Sequence, residues 1–449
     1  MGAGAVPVGD VGAAARAAAD LPQAADLNLS DPLGAATQAR PYLRPGEPPQ
    51  WAAYGRVLNY DVRGLTALGQ PDKSLLRKLG SGAAGFAGDF VLEAIAGGDD
   101  SGSDKPPPPQ VIAFGDRAGV LAHEFLRGLP ARAAIQRLWV LTRARLLVLD
   151  APVPPPEPAP EAEKSLLGKA IGFGRGVAKF GKDVAEILTD RTKTYGENRE
   201  GEPIGLREFV PVAELPGARI ARVDRAKRGR KPVLRVSLVD GSGLDFLEER
   251  TGADLEVRTA EKVDEIIERE YHGHWLRSGE VLRLGCPPYH AHVGLRLGGV
   301  RHAPYVPARE VPAVTDGTPR WPLPTDAVSD EHWADDPALG YWAIADDPGQ
   351  VAVRLADHFA GSGGHARLTW THQRLAIVYP TSRLAGGTGG PFTTAEEFDP
   401  RVVTRLDAVP GGPSFPPSPS IRFGFADGSA VFLREALAAM KVARALSRA

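Results

Sequence analysis

Two stretches of the chain alternate apolar and polar positions in the same way. Residues 138–150 read LWVLTRARLLVLD and residues 368–380 read LTWTHQRLAIVYP. Both are β-branched and aromatic runs of strand type, and both contain Thr-x-x-Arg-Leu, at Thr142/Arg145/Leu146 and Thr371/Arg374/Leu375. Alternate strand residues share a face, so Leu146, Val148, Leu375 and Ile377 are expected in a core. Upstream, VLAHEF (Val120–Phe125) matches VRLADHF (Val353–Phe359) with one gap. Downstream, VSLVDGS (Val236–Ser242) matches FGFADGS (Phe423–Ser429), and an Asp-Gly step between apolar alternations predicts a hairpin turn because glycine accepts positive φ. Each copy closes on a helical pattern, Ala260–Tyr271 in the first and Leu433–Leu446 in the second. Ala436, Leu437, Met440 and Ala443 share one face of the latter.

Matched features in the same order predict two copies of one unit, over 110–271 and 346–449. The first copy is longer and carries an insertion within 151–205, opened by the proline-rich run APVPPPEPAP. Residues 1–50 are rich in alanine, glycine and proline and are expected to be flexible. Residues 51–109 form a small helical region and a linker ending in GGDDSGSDKPPPP, and 272–345 form an intermodule segment, irregular over 303–324.

A Thr-x-x-Arg-Leu strand pair followed by a terminal helix resembles the pleckstrin-homology-like (PH-like) and GRAM-like domains of bacteria. The resemblance covers roughly 110–270 and 340–449. It implies an α+β fold of two divergent, partly open β-barrels, each with a C-terminal helix, after a helical and flexible N-terminal region. It also implies a binding role without catalysis.

Charge narrows the partners. With 53 basic and 55 acidic residues the formal net charge is -2, so no global field attracts nucleic acid, and an electrostatic partner must meet a local patch. One cysteine, Cys286, excludes an internal disulfide framework. The N-terminus shows no basic region followed by an apolar run and cleavage site, and the best apolar stretch, Leu79–Ala96, contains Asp89 and Glu93. These features predict a cytoplasmic protein, either free or peripheral at the inner face of the membrane.

No nucleotide loop, nucleophile elbow or metalloprotease helix is present, and Gly172, Gly174 and Gly176 lack the strand-to-helix context of a dinucleotide site. No catalytic residue, enzyme activity or cofactor is expected. Imidazole and thiolate are zinc donors, so His272, His274, Cys286, His290 and His292 are the metal candidates. The main binding candidate lies in the insertion. Lys164–Lys182 contains Lys164, Lys169, Arg175, Lys179 and Lys182 and no acidic residue, with Phe173 and Phe180 on the apolar side of a helical wheel. Gly168, Gly172 and Gly176 form a small-residue ridge, and a related segment, KSLLRK at Lys73–Lys78, precedes Gly80, Ala84 and Gly88. Such a helix suits a partner protein or an anionic membrane surface, or packs against Leu75, Leu79 and Phe86. Two alternatives remain open: a self-assembling structural protein without lipid binding, and a metal-binding protein using the central histidines.

Overall fold

The computed structural model describes residues 29, 31–72, 109–131, 135–152, 195–248, 253–315 and 319–448. The first half contains α1 (Ala35–Ala39), β1 (Pro49–Tyr54), β2 (Leu58–Val62), β3 (Val111–Gly115), α2 (Leu121–Phe125), β4 (Arg137–Thr142), β5 (Arg145–Asp150), β6 (Val210–Pro216), β7 (Ile220–Arg228), β8 (Lys231–Leu238) and β9 (Gly243–Leu247). A long helix, α3 (Ala253–His274), leads into the second half. There follow β10 (Leu282–Gly285), β11 (His292–Leu297), β12 (Val300–His302), β13 (Leu339–Ala345), α4 (Val351–Gly361), β14 (Arg367–Thr371), β15 (Leu375–Pro380) and β16 (Phe392–Phe398). The chain ends in β17 (Val403–Gly411), β18 (Ser414–Phe415), β19 (Ser418–Phe425), β20 (Ala430–Arg434) and α5 (Ala438–Ser447).

The protein is α+β, dominated by sheets, with five α-helices among the described residues. The two halves repeat one strand order. Sheets β1-β4-β5-β6 and β2-β3-β9-β8-β7 in the first half match β10-β14-β15-β16 and β11-β13-β20-β19-β17 in the second, where β12 adds an edge. Direction is repeated as well: β1 runs antiparallel to β4 and β10 to β14, while β2 is parallel to β3 and β11 to β13. Thr142 and Thr371 therefore sit at the ends of equivalent strands. None of these sheets closes on itself, so among the described residues each half is a pair of open sheets.

Each pair encloses its own core. Leu146 and Val148 lie in the first, with Trp139, Val236 and Phe246. Leu375 and Ile377 lie in the second, with Leu368, Phe423 and Val431, and all four residues named from strand alternation have no exposed surface. The repeat reaches upstream of residue 110, because β1 and β2 fall in the stretch read as helical, and β10 to β13 fall in the intermodule segment. Part of the stretch read as flexible is ordered too: Ala35, Ala36 and Ala39 are buried with Leu138, Val140, Leu147 and Leu149. Small side chains there let a short helix lie close on the sheet.

The halves exchange elements. Helix α3 follows β9, but Val263, Ile267, Tyr271 and Trp275 pack with Leu282, Ala376 and Val378 on the outer sheet of the second half. In return β18 pairs in parallel with β1, Ala52 opposite Ser414 and Ala53 opposite Phe415, and Phe415 enters the first core. A further cluster joins Leu29, Leu33 and Ile204 to Val328, Trp333, Leu339 and Trp342. The helix over Ala260–Tyr271 thus exists but closes the neighbouring unit.

Two patterns differ from the sequence reading. In the last helix Leu433 and Arg434 belong to β20, and the buried side is Ala438, Lys441, Val442 and Ala445, leaving Met440 and Ala443 exposed. A lysine occupies the inner face because Glu435 and Asp264 neutralise it there, at 2.6 and 3.2 Å. The VLAHEF match is displaced by one helical turn: the hydrogen bonds at the helix starts equate Leu121-Ala122 with Val351-Ala352. Among the described residues no helix is long and apolar enough to cross a membrane.

Candidate functional site

The repeat separates polar groups present in both halves from those present in one. The larger shared cluster begins with a motif not singled out in the strand patterns, Leu-Arg-x-Gly-Glu, at Leu43–Glu47 and Leu276–Glu280. Gly46 and Gly279 take φ of 72° and 76°, closing a turn in which the backbone N–H of Arg44 or Arg277 donates to the glutamate at 3.0 or 2.9 Å. The Thr-x-x-Arg of the following hairpin meets that carboxylate. Thr142 Oγ1 donates to Glu47 at 2.7 Å and Thr371 Oγ1 to Glu280 at 2.6 Å. Arg145 Nε and Nη2 donate to Glu47 at 3.0 and 2.9 Å, and Arg374 Nε and Nη2 to Glu280 at 2.8 and 2.9 Å.

The outer Nη1 of each arginine pairs with a second carboxylate, Glu214 or Glu397, from the next strand. The Arg145 guanidinium holds the Glu47 carboxyl at about 2. Burial pushes Glu280 up, but hydrogen bonds from Arg374 and Thr371 bring it below the usual carboxylate range. With its lone pairs taken by an arginine fork, a threonine and a backbone N–H, this carboxylate is a structural tie.

The Asp-Gly-Ser turns form the second shared device. Asp240 Oδ2 accepts the N–H of Leu121 at 2.7 Å and Ser242 Oγ that of Ala122 at 3.1 Å. Asp427 and Ser429 do the same for Val351 and Ala352 at 2.7 and 3.2 Å. Each hairpin turn therefore caps, from a distance in sequence, the first N–H groups of the helix after β3 or β13.

Among the described residues one polar network of the second half has no counterpart in the first. His358 lies between Tyr379 Oη, 3.1 Å from Nδ1, and Glu396 Oε2, 3.1 Å from Nε2. Arg354 donates from Nε to Glu396 at 2.8 Å. Beside it Asp357, fully buried, accepts Tyr305 Oη at 2.8 Å and Arg309 Nε at 2.9 Å, strapping the 305–309 loop onto α4. The registers place Ala213 where Glu396 stands and Asp150 where Tyr379 stands. Burial pushes Glu396 up, yet His358 and Arg354 hold it at about 2, while burial pushes Tyr379 up and Tyr305 to about 12. A histidine between a carboxylate and a hydroxyl is a base-and-orienter geometry, but that hydroxyl is a buried tyrosine kept protonated. The network orders a loop.

The metal candidates do not converge. His272 and His274 are exposed at the end of α3, and Cys286 is buried near Lys441, where burial pushes its thiol to about 12. His290 and His292 turn toward Trp321, with ring centroids 6.1 and 5.4 Å away, and His290 also meets His365 at 5.6 Å. Burial brings His292 to about 4, despite hydrogen bonds to the backbone of Trp321 and Pro322. Among the described residues no group of three or more histidine, cysteine, aspartate or glutamate side chains is placed to hold a metal ion. The five candidates divide between a helix end, a buried position after β10 and an aromatic cluster.

Lys164, Lys169, Phe173, Arg175, Lys179, Phe180 and Lys182 lie outside the described residues, as do Lys73–Lys78 and the glycine ridges. A basic feature that is described was missed. Between Arg219 and Arg235 the β7–β8 ribbon carries Arg222, Arg225, Lys227, Arg228, Arg230 and Lys231 against one acidic residue, Asp224. Its mixed alternation conceals it in a charge count taken over the whole chain. Comparison with protein-family models, with curated proteins and with solved structures returns no match.

Proposed function

We propose that this chain is a non-catalytic interaction or scaffold protein whose two units are divergent PH-like modules. What carries the reading is that the arginine, threonine and carboxylate side chains brought together in both halves engage one another in a repeated structural tie. Catalysis calls for a group left available to a reacting atom. The open sheets, the LRxGE turn and the hairpin-capped helix recur in the same order in both units, and β18 and α3 tie each unit to the other. A rigid pair of modules suits presentation of two surfaces at once, to a protein partner or to an anionic membrane surface. The basic segment Lys164–Lys182 supplies the charge for the second case.

Flotation of the full-length chain with phosphatidylcholine vesicles and with phosphatidylserine-containing vesicles separates the membrane form from the protein-binding form. Turnover of ester or phosphate substrates that disappears in His358→Ala while the fold is retained would overturn the non-catalytic reading.

A further inference from the structure

Among the described residues the second module seats a helix that has no counterpart on the first. Helix α5 lies over β10, β17 and β19, and Ala438, Val442 and Ala445 share a cluster with Leu284, Leu406 and Ile421. The registers are the same in both ribbons: Val223 opposes Val236 and Arg225 opposes Leu234, as Leu406 opposes Phe423 and Ala408 opposes Ile421. In the first module β18 pairs beside β1 and Phe415 joins the first core. On the β7–β8 side Val223 and Leu234 are half-buried where Leu406 and Ile421 are buried, and among the described residues no helix lies over them.

The rim has changed with the cover. Arg225 replaces Ala408 and Lys227 replaces Pro410 on the inner face of the ribbon. The Arg225 side chain is 71% exposed, with Glu248 3.8 Å away, and among the described residues Lys227 and Arg230 make no ion pair. Basic side chains at the edge of an apolar floor keep a basic helix out and attract an acidic one.

We infer that the inner face of the β7–β8 ribbon is a docking surface for an acidic amphipathic helix of a partner protein. The equivalent face of the second module already holds a helix, which gives the secondary structure of the occupant. The basic rim gives its charge. Helix α5 of a second copy is already seated in its own second core, with Lys441 paired to Glu435 and Asp264. The inference rests on the interaction-protein reading and names its partner's chemistry.

The test titrates the full-length chain with a stapled, labelled peptide of residues 437–448 bearing R444E and R448E, beside the unaltered basic peptide. Saturable binding of the acidic peptide alone is expected. Arg225→Glu with Lys227→Glu should weaken it by roughly tenfold and confer binding of the basic peptide. Leu234→Asp should remove both, with melting curves confirming that each variant folds. Equal binding of the two peptides, no binding, or binding indifferent to the Arg225 and Lys227 reversals overturns the inference. So does uptake of the chain onto phosphatidylserine vesicles through Arg225 and Lys227 without peptide binding, an outcome that would leave the interaction-protein reading standing.

Discussion

Arg374 grips Glu280 with a two-pronged fork, Nε to Oε1 at 2.8 Å and Nη2 to Oε2 at 2.9 Å, and the glutamate side chain has no exposed surface. Removing one member of a buried pair leaves the other charged and desolvated, at a cost of about 3–5 kcal/mol. Glu280→Ala is expected to lose about that much. Glu214→Ala, whose side chain is 43% exposed, should lose no more than about 1 kcal/mol. Urea unfolding of both variants checks the contrast, and equal losses would show that the fork is no more than a surface pair.

The remote caps make a second expectation. Asp427 accepts the Val351 N–H and also fixes Ser429 Oγ at 2.6 Å, so Asp427→Ala removes one partner of the first turn of α4 and releases the hydroxyl that is the other. A lost cap costs about 1–2 kcal/mol. Hydrogen exchange at Val351 and Ala352 should accelerate accordingly while the amides of β14 and β15 keep their protection. Uniform acceleration through the second module would refute a local role.

Phe415 tests whether the modules are mechanically joined. It belongs by sequence to the second module and by packing to the first core, beside β1, where the Ala52 N–H donates to the Pro413 carbonyl at 3.0 Å. Truncating a buried phenylalanine costs about 3–5 kcal/mol. Phe415→Ala should therefore expose β1 and β4 to proteolysis and exchange more than its own strand neighbours β17 and β19. Damage confined to β17 and β19 would mean that β18 is an accessory.

The repeat was legible where local chemistry and tertiary role coincide. Thr142/Arg145 and Thr371/Arg374 stand out because strand alternation, hairpin and buried tie share the same few residues. The acceptors of those ties, Glu47 and Glu280, lie in glycine-containing turns outside any periodic run, so their pairing emerges only when β1 meets β4 and β10 meets β14. Apolar periodicity misplaced the inner face of α5 because Lys441 is buried there by two carboxylates, one of them Asp264 on α3. The exchange of α3 for β18 is a choice between two similar surfaces, which a local pattern does not encode. The histidines were read as one cluster because they are near in sequence, although α3 ends before His290 and leaves His272 and His274 in solvent.

Stability against pH should show a plateau made of two opposing titrations. His292 is lowered to about 4 from an ordinary 6.5, so its neutral form favours the fold. That contribution is present above 6.5 and lost as pH falls toward 4. Asp336 is raised by burial to about 6 from 3.8, so its protonated form favours the fold, and stability is gained as pH falls from 6 toward 3.8. At about 1.4 kcal/mol for each tenfold change in proton affinity the two are of similar size, on the order of 3 kcal/mol. They should nearly cancel between pH 6.5 and 4.5. Below 4.5 Glu47 and Glu396, both held at about 2, weigh against the fold, because their contributions are complete above their unfolded value and disappear as the acid protonates them. The wild-type urea midpoint is thus expected to be level from pH 6.5 to 4.5 and to fall steeply below. His292→Phe removes one side of the balance, so its midpoint should rise as pH drops from 6.5 to 4.5, whatever the variant loses from its missing hydrogen bonds. Asp336→Asn should fall over the same interval. Midpoints of the wild type and His292→Phe that run parallel would show that His292 does not titrate within the fold.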